Sequence, residues 1–291
     1  MDQKIINLWD NFTHSRISRR EFMDELTKLA GSTAAAVALL PLLQNDYAKA
    51  QIVQANDPRL NAEKISFDSP KGKVSGYLVR AKGITKRPAV IVIHENRGLN
   101  PHLEDVARRL ATEGYIALAP DLLSVSGGTP ANDDAARDLH TKTNREDMIV
   151  EAVAAIGFLK RHAESTGKVG AVGFCFGGGV VNRMATDSAD LDAGVPYYGA
   201  QPPADKVAAI KAPLLLQYAE NDDNINKGIA DFETALKANN KKYTKHVYAG
   251  TQHAFNNDTG GARYNKAAAD LAWGRTLAFF SENLGAPPKV G

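Results

Sequence analysis

The stretch Val169-Gly170-Ala171-Val172-Gly173-Phe174-Cys175-Phe176-Gly177-Gly178 decides the fold. Val169 to Val172 is an apolar run of the kind buried on both faces of a parallel sheet, and a helical pattern follows from 176 to 186. A strand that turns into a helix this abruptly holds its corner residue in a strained conformation. Side chains two places to either side would strike neighbouring backbone, so the glycines at 173 and 177 are what the turn demands. The corner residue is Cys175, so the segment reads as a nucleophile elbow, GxCxGG, with cysteine in the serine position. A dinucleotide-binding GxGxxG is a weak alternative, because its second glycine would fall on Cys175 itself.

Working outward, short apolar strands recur at Ala89 to Ile93, Tyr115 to Ala119, Ala193 to Tyr198, Leu214 to Tyr218 and Tyr243 to Tyr248. Helical patterns lie between them. Leu103, Val106, Ala107 and Leu110 fall at i, i+3, i+4 and i+7 before Gly114, and further helices are expected at 145–162, 203–210, 226–239 and 262–283. Such alternation predicts a mostly parallel sheet with helices on both faces and right-handed crossovers. Residues 63–68 and 73–80 alternate apolar and polar around Ser69-Pro70-Lys71-Gly72, which predicts an antiparallel hairpin at its start. Residues 121–144, with Gly127, Gly128 and Pro130, read as a polar excursion at one end of the sheet. The expected organisation is one domain over 62–291, a linker at 51–61, and a separate segment over 1–50.

Composition narrows the function. The chain has 291 residues, 44% hydrophobic and 23% charged, enough to bury one sizeable core. Lys and Arg number 35 against 33 Asp and Glu, and no basic stripe with interleaved aromatics is present, so a small-molecule partner is favoured over nucleic acid. A single cysteine cannot form an internal disulfide, which leaves Cys175 either a packed filler or a nucleophile. Its placement at a helix N-terminus, where the dipole favours a thiolate, argues for the second.

A nucleophile needs a base, and the base needs a group to orient it. After the strand at 214–218 come Glu220, Asn221, Asp222 and Asp223; after the strand at 243–248 come Gly250, Thr251, Gln252 and His253. Cys175, Asp222 and His253 thus stand in order on three strand ends, the sequence of nucleophile, acid and histidine used by hydrolase sheets. His253 would move the proton and Asp222 would fix its tautomer, with Asp223 the competing acid.

The runs VIHENRG (92–98), APDLL (119–123), GFCFGG (173–178), AENDD (219–223) and GTQHAF (250–255) resemble the dienelactone hydrolase family of α/β hydrolases over roughly residues 62–283. The resemblance implies hydrolysis of a small ester or lactone through Cys175. It implies that Glu95 lies near the thiol and regulates its resting state, and that the backbone N–H groups of Phe176 and Asn96 form an oxyanion hole. Family members acting on carboxylated lactones clamp the carboxylate with arginines, one shortly after the histidine. Here that place reads Phe255, Asn256, Asn257, Asp258, with no arginine before Arg263. Arg97, Arg137 and Arg145 are the candidate substitutes, each weighed against a surface role. No cofactor or metal is implied. Two other readings share the thiol: a thioesterase or acyltransferase on the same residues, and a non-catalytic redox-sensing or binding protein.

The first fifty residues differ in texture. Ser18-Arg19-Arg20-Glu21-Phe22, an apolar run from Leu29 to Leu43, and Ala48-Lys49-Ala50 follow the order of a twin-arginine export signal, which implies a periplasmic protein. Asp24 and Glu25 interrupt that pattern. The run would cover only about 22 Å as a helix, short of a bilayer's roughly 30 Å, so no stable membrane span is expected. The alternative is a retained helical arm in a cytoplasmic protein, with Ile17, Phe22, Leu26 and Leu29 on one face, docked on its own domain or on a second subunit of a homodimer.

Overall fold

A continuous apolar strand has to meet protein on both sides, and the computed structural model, which describes residues 1–47, 51–83 and 86–290, places these strands in the middle of one sheet. The strands are β1 (Leu60–Ser69), β2 (Gly72–Ala81), β3 (Arg87–Ile93), β4 (Ile116–Pro120), β5 (Ser165–Phe174), β6 (Ala193–Tyr197), β7 (Leu214–Asn221) and β8 (Tyr243–Gln252). Among the described residues their order is β1-β2-β4-β3-β5-β6-β7-β8. The β1–β2 and β2–β4 pairs are antiparallel and the remaining pairs are parallel. β3, β4 and β6 are buried at every position, whereas β1, at the edge, is mostly exposed, with Leu60 and Phe67 buried. This is the α/β-hydrolase sheet with its antiparallel hairpin.

Helices cover both faces. Ahead of the sheet lie α1 (Gln3–Thr13), α2 (Arg19–Ala30) and α3 (Thr33–Leu43). Then follow α4 (Pro101–Thr112), α5 (Asp133–Lys142), α6 (Arg145–Arg161), α7 (Phe176–Asp187), α8 (Asp223–Asn226), α9 (Ile229–Ala238) and α10 (Lys266–Leu284). One core cluster joins α6, α7 and α9 to one face of the sheet, and a second joins α4 and α10 to the other.

Three elements differ from the sequence expectation. The excursion at 121–144 contains α5, a true helix: Asn132 caps it, Asp133 and Asp134 open it, and Lys142 closes it, so its charges complement the helix dipole. The helix expected at 203–210 is a 3₁₀ turn, Ala204–Ala209. The one expected at 226–239 is split into α8 and α9 at Gly228, where a side chain would meet Gln201.

The amino-terminal helices form an arm with a small core of their own. Ile5, Trp9, Phe12, Phe22, Leu26, Ala36 and Leu43 are buried together, and the Phe12 and Phe22 rings stack with centroids 4.7 Å apart. Ser18 and Glu21 form a reciprocal capping box at the start of α2. Phe22 and Leu26 are buried, Ile17 packs against the cluster, and Leu29 is exposed. The arm lies across the carboxyl ends of the strands. Its fastenings to the body include the Arg19–Asp134 ion pair at 2.7 Å and paired amides of Gln3 and Gln252 at 2.7 Å. The Arg137 guanidinium lies 4.5 Å from the centre of the Phe12 ring, another fastening. No single described helix is long and apolar enough to cross a membrane; α2 and α3 together would be, but they are bent by 110°. Ala48, Lys49 and Ala50 lie outside the described residues.

Candidate active site

Cys175 stands where β5 ends and α7 begins, with φ 56° and ψ −115°, a strained conformation for a side chain branching from an L-residue. The two glycines that frame it explain how the strain is tolerated. A Cβ on Gly173 would lie 2.2 Å from the carbonyl oxygen of Gly177, and one on Gly177 would lie 2.4 Å from that of Ile93. The turn therefore closes only with hydrogen at both places. Cys175 is 9% exposed, and its sulfur borders a cavity of about 470 Å³.

The loop after β8 brings His253 to that cavity, and the turn after β7 brings Asp222. His253 Nδ1–H donates to Asp222 Oδ2 at 2.6 Å, which fixes the tautomer and leaves Nε2 toward the cavity with no hydrogen-bond partner among the described residues. Asp223 begins α8 instead. The Cys175 sulfur and one nitrogen each of His253 and His14 all lie within 4.8 Å of one another.

His14, at the end of α1, was not anticipated. Its Nε2 is 3.2 Å from Cys175 Sγ, within hydrogen-bond range. Its Nδ1 donates to the main-chain carbonyl of Asp10 at 2.8 Å, with the Asp10 carboxylate 3.2 Å away. The His14 and His253 rings meet edge to face at 4.9 Å. The available signal was Asp10 four residues before His14, one helical turn apart on a helix that buries Ile5, Trp9 and Phe12. Two imidazoles, one with its Nδ1 on the Asp222 carboxylate and the other with its Nδ1 on the Asp10 main-chain carbonyl beside that residue's carboxylate, thus converge on one sulfur. Chemically the set could hold a thiophilic divalent cation, and it could equally serve as a thiolate between two imidazolium groups.

The electrostatics favour ionisation of the sulfur. Burial pushes the Cys175 thiol up, but the positive charges of His253 and His14 and the hydrogen bond with His14 outweigh it, bringing the thiol down to about 6. Burial opposes the His14 cation too, yet the thiolate and Asp10 raise it to about 9. His253 is likewise raised well above its usual value against burial, by the charges of Asp222 and Cys175.

The remaining expected residues are placed as follows. Asn96 follows β3 and Phe176 opens α7, and both line the cavity. The Asn96 side chain donates to Thr13 O of the arm at 2.6 Å. Glu95 accepts from Asn257 Nδ2 at 3.0 Å, and its loop is braced by His94, whose ring is paired with Glu95 O at 2.6 Å and accepts from Leu122 N–H at 3.1 Å. The hydrogen bond to the sulfur comes from His14 rather than from Glu95. Of the three arginines, only Arg145 lines the cavity, its guanidinium 5.6 Å from the centre of the Phe176 ring. Arg97 and Arg137 do not reach it, because their planar cations are drawn onto the Trp9 and Phe12 rings of the arm and paired with Asp133, Asp134 and Asp138. Arg16, from the arm, is the other arginine at the cavity. Arg263 folds back and is buried; burial weakens its hold on its proton, and the nearby charge of Glu95 works against that.

This frame matches known proteins. The family model described as "Dienelactone hydrolase family" matches residues 74–284. The chain belongs to the dienelactone hydrolase family. A relative in Saccharolobus solfataricus, named "Putative carboxymethylenebutenolidase", is 32% identical over 75% of this chain and 97% of its own. An Escherichia coli K12 protein named "Putative hydrolase fragment YghX" is 55% identical over 38% of this chain and 96% of its own. Among solved structures, one from Klebsiella pneumoniae titled "Putative Dienelactone Hydrolase" superposes with a TM-score of 0.69 at 28% identity, covering 77% of this chain and 99% of the other. Dienelactone hydrolases are carboxylic ester hydrolases, and this chain is one of them. The matched span, 74–284, begins after the arm, so the Asp10–His14 pair lies outside the part shared with the family model.

Proposed function

We propose that the protein opens a small ester or lactone through a covalent thioester on Cys175. One observation carries the reading: an Asp222-oriented imidazole and a thiol of lowered pKa share a cavity at a strained strand-to-helix corner. The thiolate attacks the carbonyl carbon, and the displaced π pair becomes an oxyanion, for which the cavity-lining Asn96 and Phe176 supply the candidate N–H groups. Donors of this kind are each worth about 2.7 to 4 kcal/mol at the transition state. His253 gives the leaving oxygen its proton, then takes one from the water that releases the acyl group.

The cavity suits a small substrate. Phe176, Met148 and Ile225 provide apolar wall, and Arg145 and Arg16 offer positive charge at its rim. A lactone or ester bearing a carboxylate or several carbonyl oxygens fits that polarity. The test is a panel of p-nitrophenyl acetate, alkyl esters and unsaturated lactones against wild type and Cys175→Ala. Turnover should fall by at least about 10³-fold in the variant. Equal activity in the two proteins would remove the thiol from the reaction.

A further inference from the structure

We propose that the amino-terminal arm completes the active centre: His14, oriented by Asp10, holds Cys175 as the thiolate and thereby leaves His253 free to move protons on the substrate. The inference rests on the ester-hydrolase reading and deepens it.

The division of labour follows from which nitrogen touches what. His14 Nε2 is hydrogen-bonded to the sulfur at 3.2 Å. His253 Nε2 lies near it but has no partner among the described residues, although it is buried. A buried donor without a partner costs free energy, and such costs are concentrated where a substrate atom will supply the missing acceptor. Were His253 alone responsible for the thiolate, its Nε2–H would be committed to sulfur when the leaving oxygen needs a proton. With His14 on the sulfur, that conflict is absent.

The steps balance. The Cys175 S–H proton passes to His14 Nε2, and the ring, whose Nδ1–H stays on Asp10, becomes a cation. Sulfur then forms a bond to the carbonyl carbon; the oxyanion collapses, the C–O bond breaks, and the leaving oxygen takes the Nε2 proton of the His253 cation. Neutral His253 next takes a proton from water as its oxygen adds to the thioester. The C–S bond breaks, sulfur returns as thiolate to His14, and the acid departs. His253 ends protonated, as it began.

The rest of the arm supports the same assignment. Asp10 is held in place by Arg16 at 3.1 Å, and burial, which would raise its carboxyl, is overcome by His14 and the neighbouring cations, so it stays ionised. Thr13 O receives the Asn96 side chain, which ties the end of α1 to the oxyanion loop. Ser18 and Phe22, two residues of the export-like motif, serve as a helix cap and a core side chain in this fold. The charged and titratable groups around the sulfur are His14, Asp10 and Arg16 from the arm, Asp222, His253 and Arg263 from the strand-end loops, Glu95 and Tyr198 beneath, and His140 and Arg145 across the cavity.

Alkylation of the full-length protein by iodoacetamide as a function of pH tests the proposal, because it reads the thiolate without an ester. Wild type should show a midpoint near 6. His14→Gln should move it up by about one pH unit or more, so that alkylation at pH 6 slows about fivefold or more while the rates converge near pH 9.5. Asp10→Asn, which leaves the ring and the Trp9 core in place, should shift it in the same direction by less, and guards against an arm released in the first variant. His253→Ala should raise the midpoint as well, since its charge also favours the thiolate, and should lose ester turnover even at about pH 9.5, where the thiolate is formed. Unchanged alkylation profiles in both arm variants overturn the proposal whatever the ester assay gives. Shifted profiles in the arm variants, together with a wild type that turns over no ester, overturn the ester reading and leave the thiolate device standing.

Discussion

The arm and the α/β body each bring an aspartate–histidine pair to one sulfur, by different means. In the body, Asp222 and His253 hang from the ends of β7 and β8 in an eight-stranded sheet, and both are nearly sealed, at 5% and 6% exposure. In the arm, Asp10 and His14 lie one turn apart on a single surface helix backed by a seven-residue core. The body's pair is fixed by the global fold. The arm's pair is fixed by a local cluster whose opening need not unfold the body, so the two halves of one site can respond differently to the same perturbation.

The largest effect expected separates chemistry from scaffold. Asp222→Asn should cut ester turnover by about 10² to 10⁴-fold, since it leaves the His253 ring in the wrong tautomer, a loss far larger than the change in alkylation rate that follows from a weaker His253 cation. Equal loss in alkylation and turnover would mean that the body's pair, and not the arm's, makes the thiolate.

Trp9→Ala comes next. Truncating a fully enclosed tryptophan costs about 3 to 5 kcal/mol, more than a cluster of this size can spare, so hydrogen exchange should rise across residues 3–43 while β3 and β5 stay protected. Exchange rising equally in β5 would show that arm and body unfold together.

The pH response should bear the same signature. A histidine raised from 6.5 to about 9 contributes to docking fully below 6.5 and loses that contribution as pH rises through about 9. A thiol lowered from 9.0 to about 6 contributes fully above 9.0 and loses its contribution as pH falls through about 6. The pair is therefore intact between the two values, and exchange in α1 should be slowest there. A flat profile from pH 5 to 10 would dissociate docking from the sulfur. The smallest effect is Ser18→Ala, which removes one side of the capping box and should destabilise α2 by about 1 kcal/mol, read as faster exchange at its first turn.

The body was legible because its signals are redundant. Ala89 to Ile93 in β3 and Val169 to Phe174 in β5 are apolar without interruption, the elbow glycines are imposed by contacts shorter than a carbon atom allows, and the acid and histidine follow on successive strand ends. α5 escaped because its signals are its charged ends, set in a segment whose glycines and proline speak for a loop. The arm was half legible. Phe22 and Leu26 stood out as one face of a helix, but a helix in a segment resembling an export signal gives no sign of what it covers. His14 could not be assigned because its partner is 161 positions away, and only folding brings the two together. Arg97 and Arg137 misled for a related reason: the aromatic rings that attract them belong to that same distant segment.

The mutual amide bonds between Gln3 and Gln252 put the start of α1 beside the loop that carries His253. Anything appended ahead of Met1 would extend from the first turn of α1, whose far end carries His14, whereas Gly285 and the residues after it leave α10 at the end of the last helix. An affinity handle for purification therefore belongs on the carboxyl terminus, and a preparation carrying one at the other end would report the kinetics of a disturbed entrance.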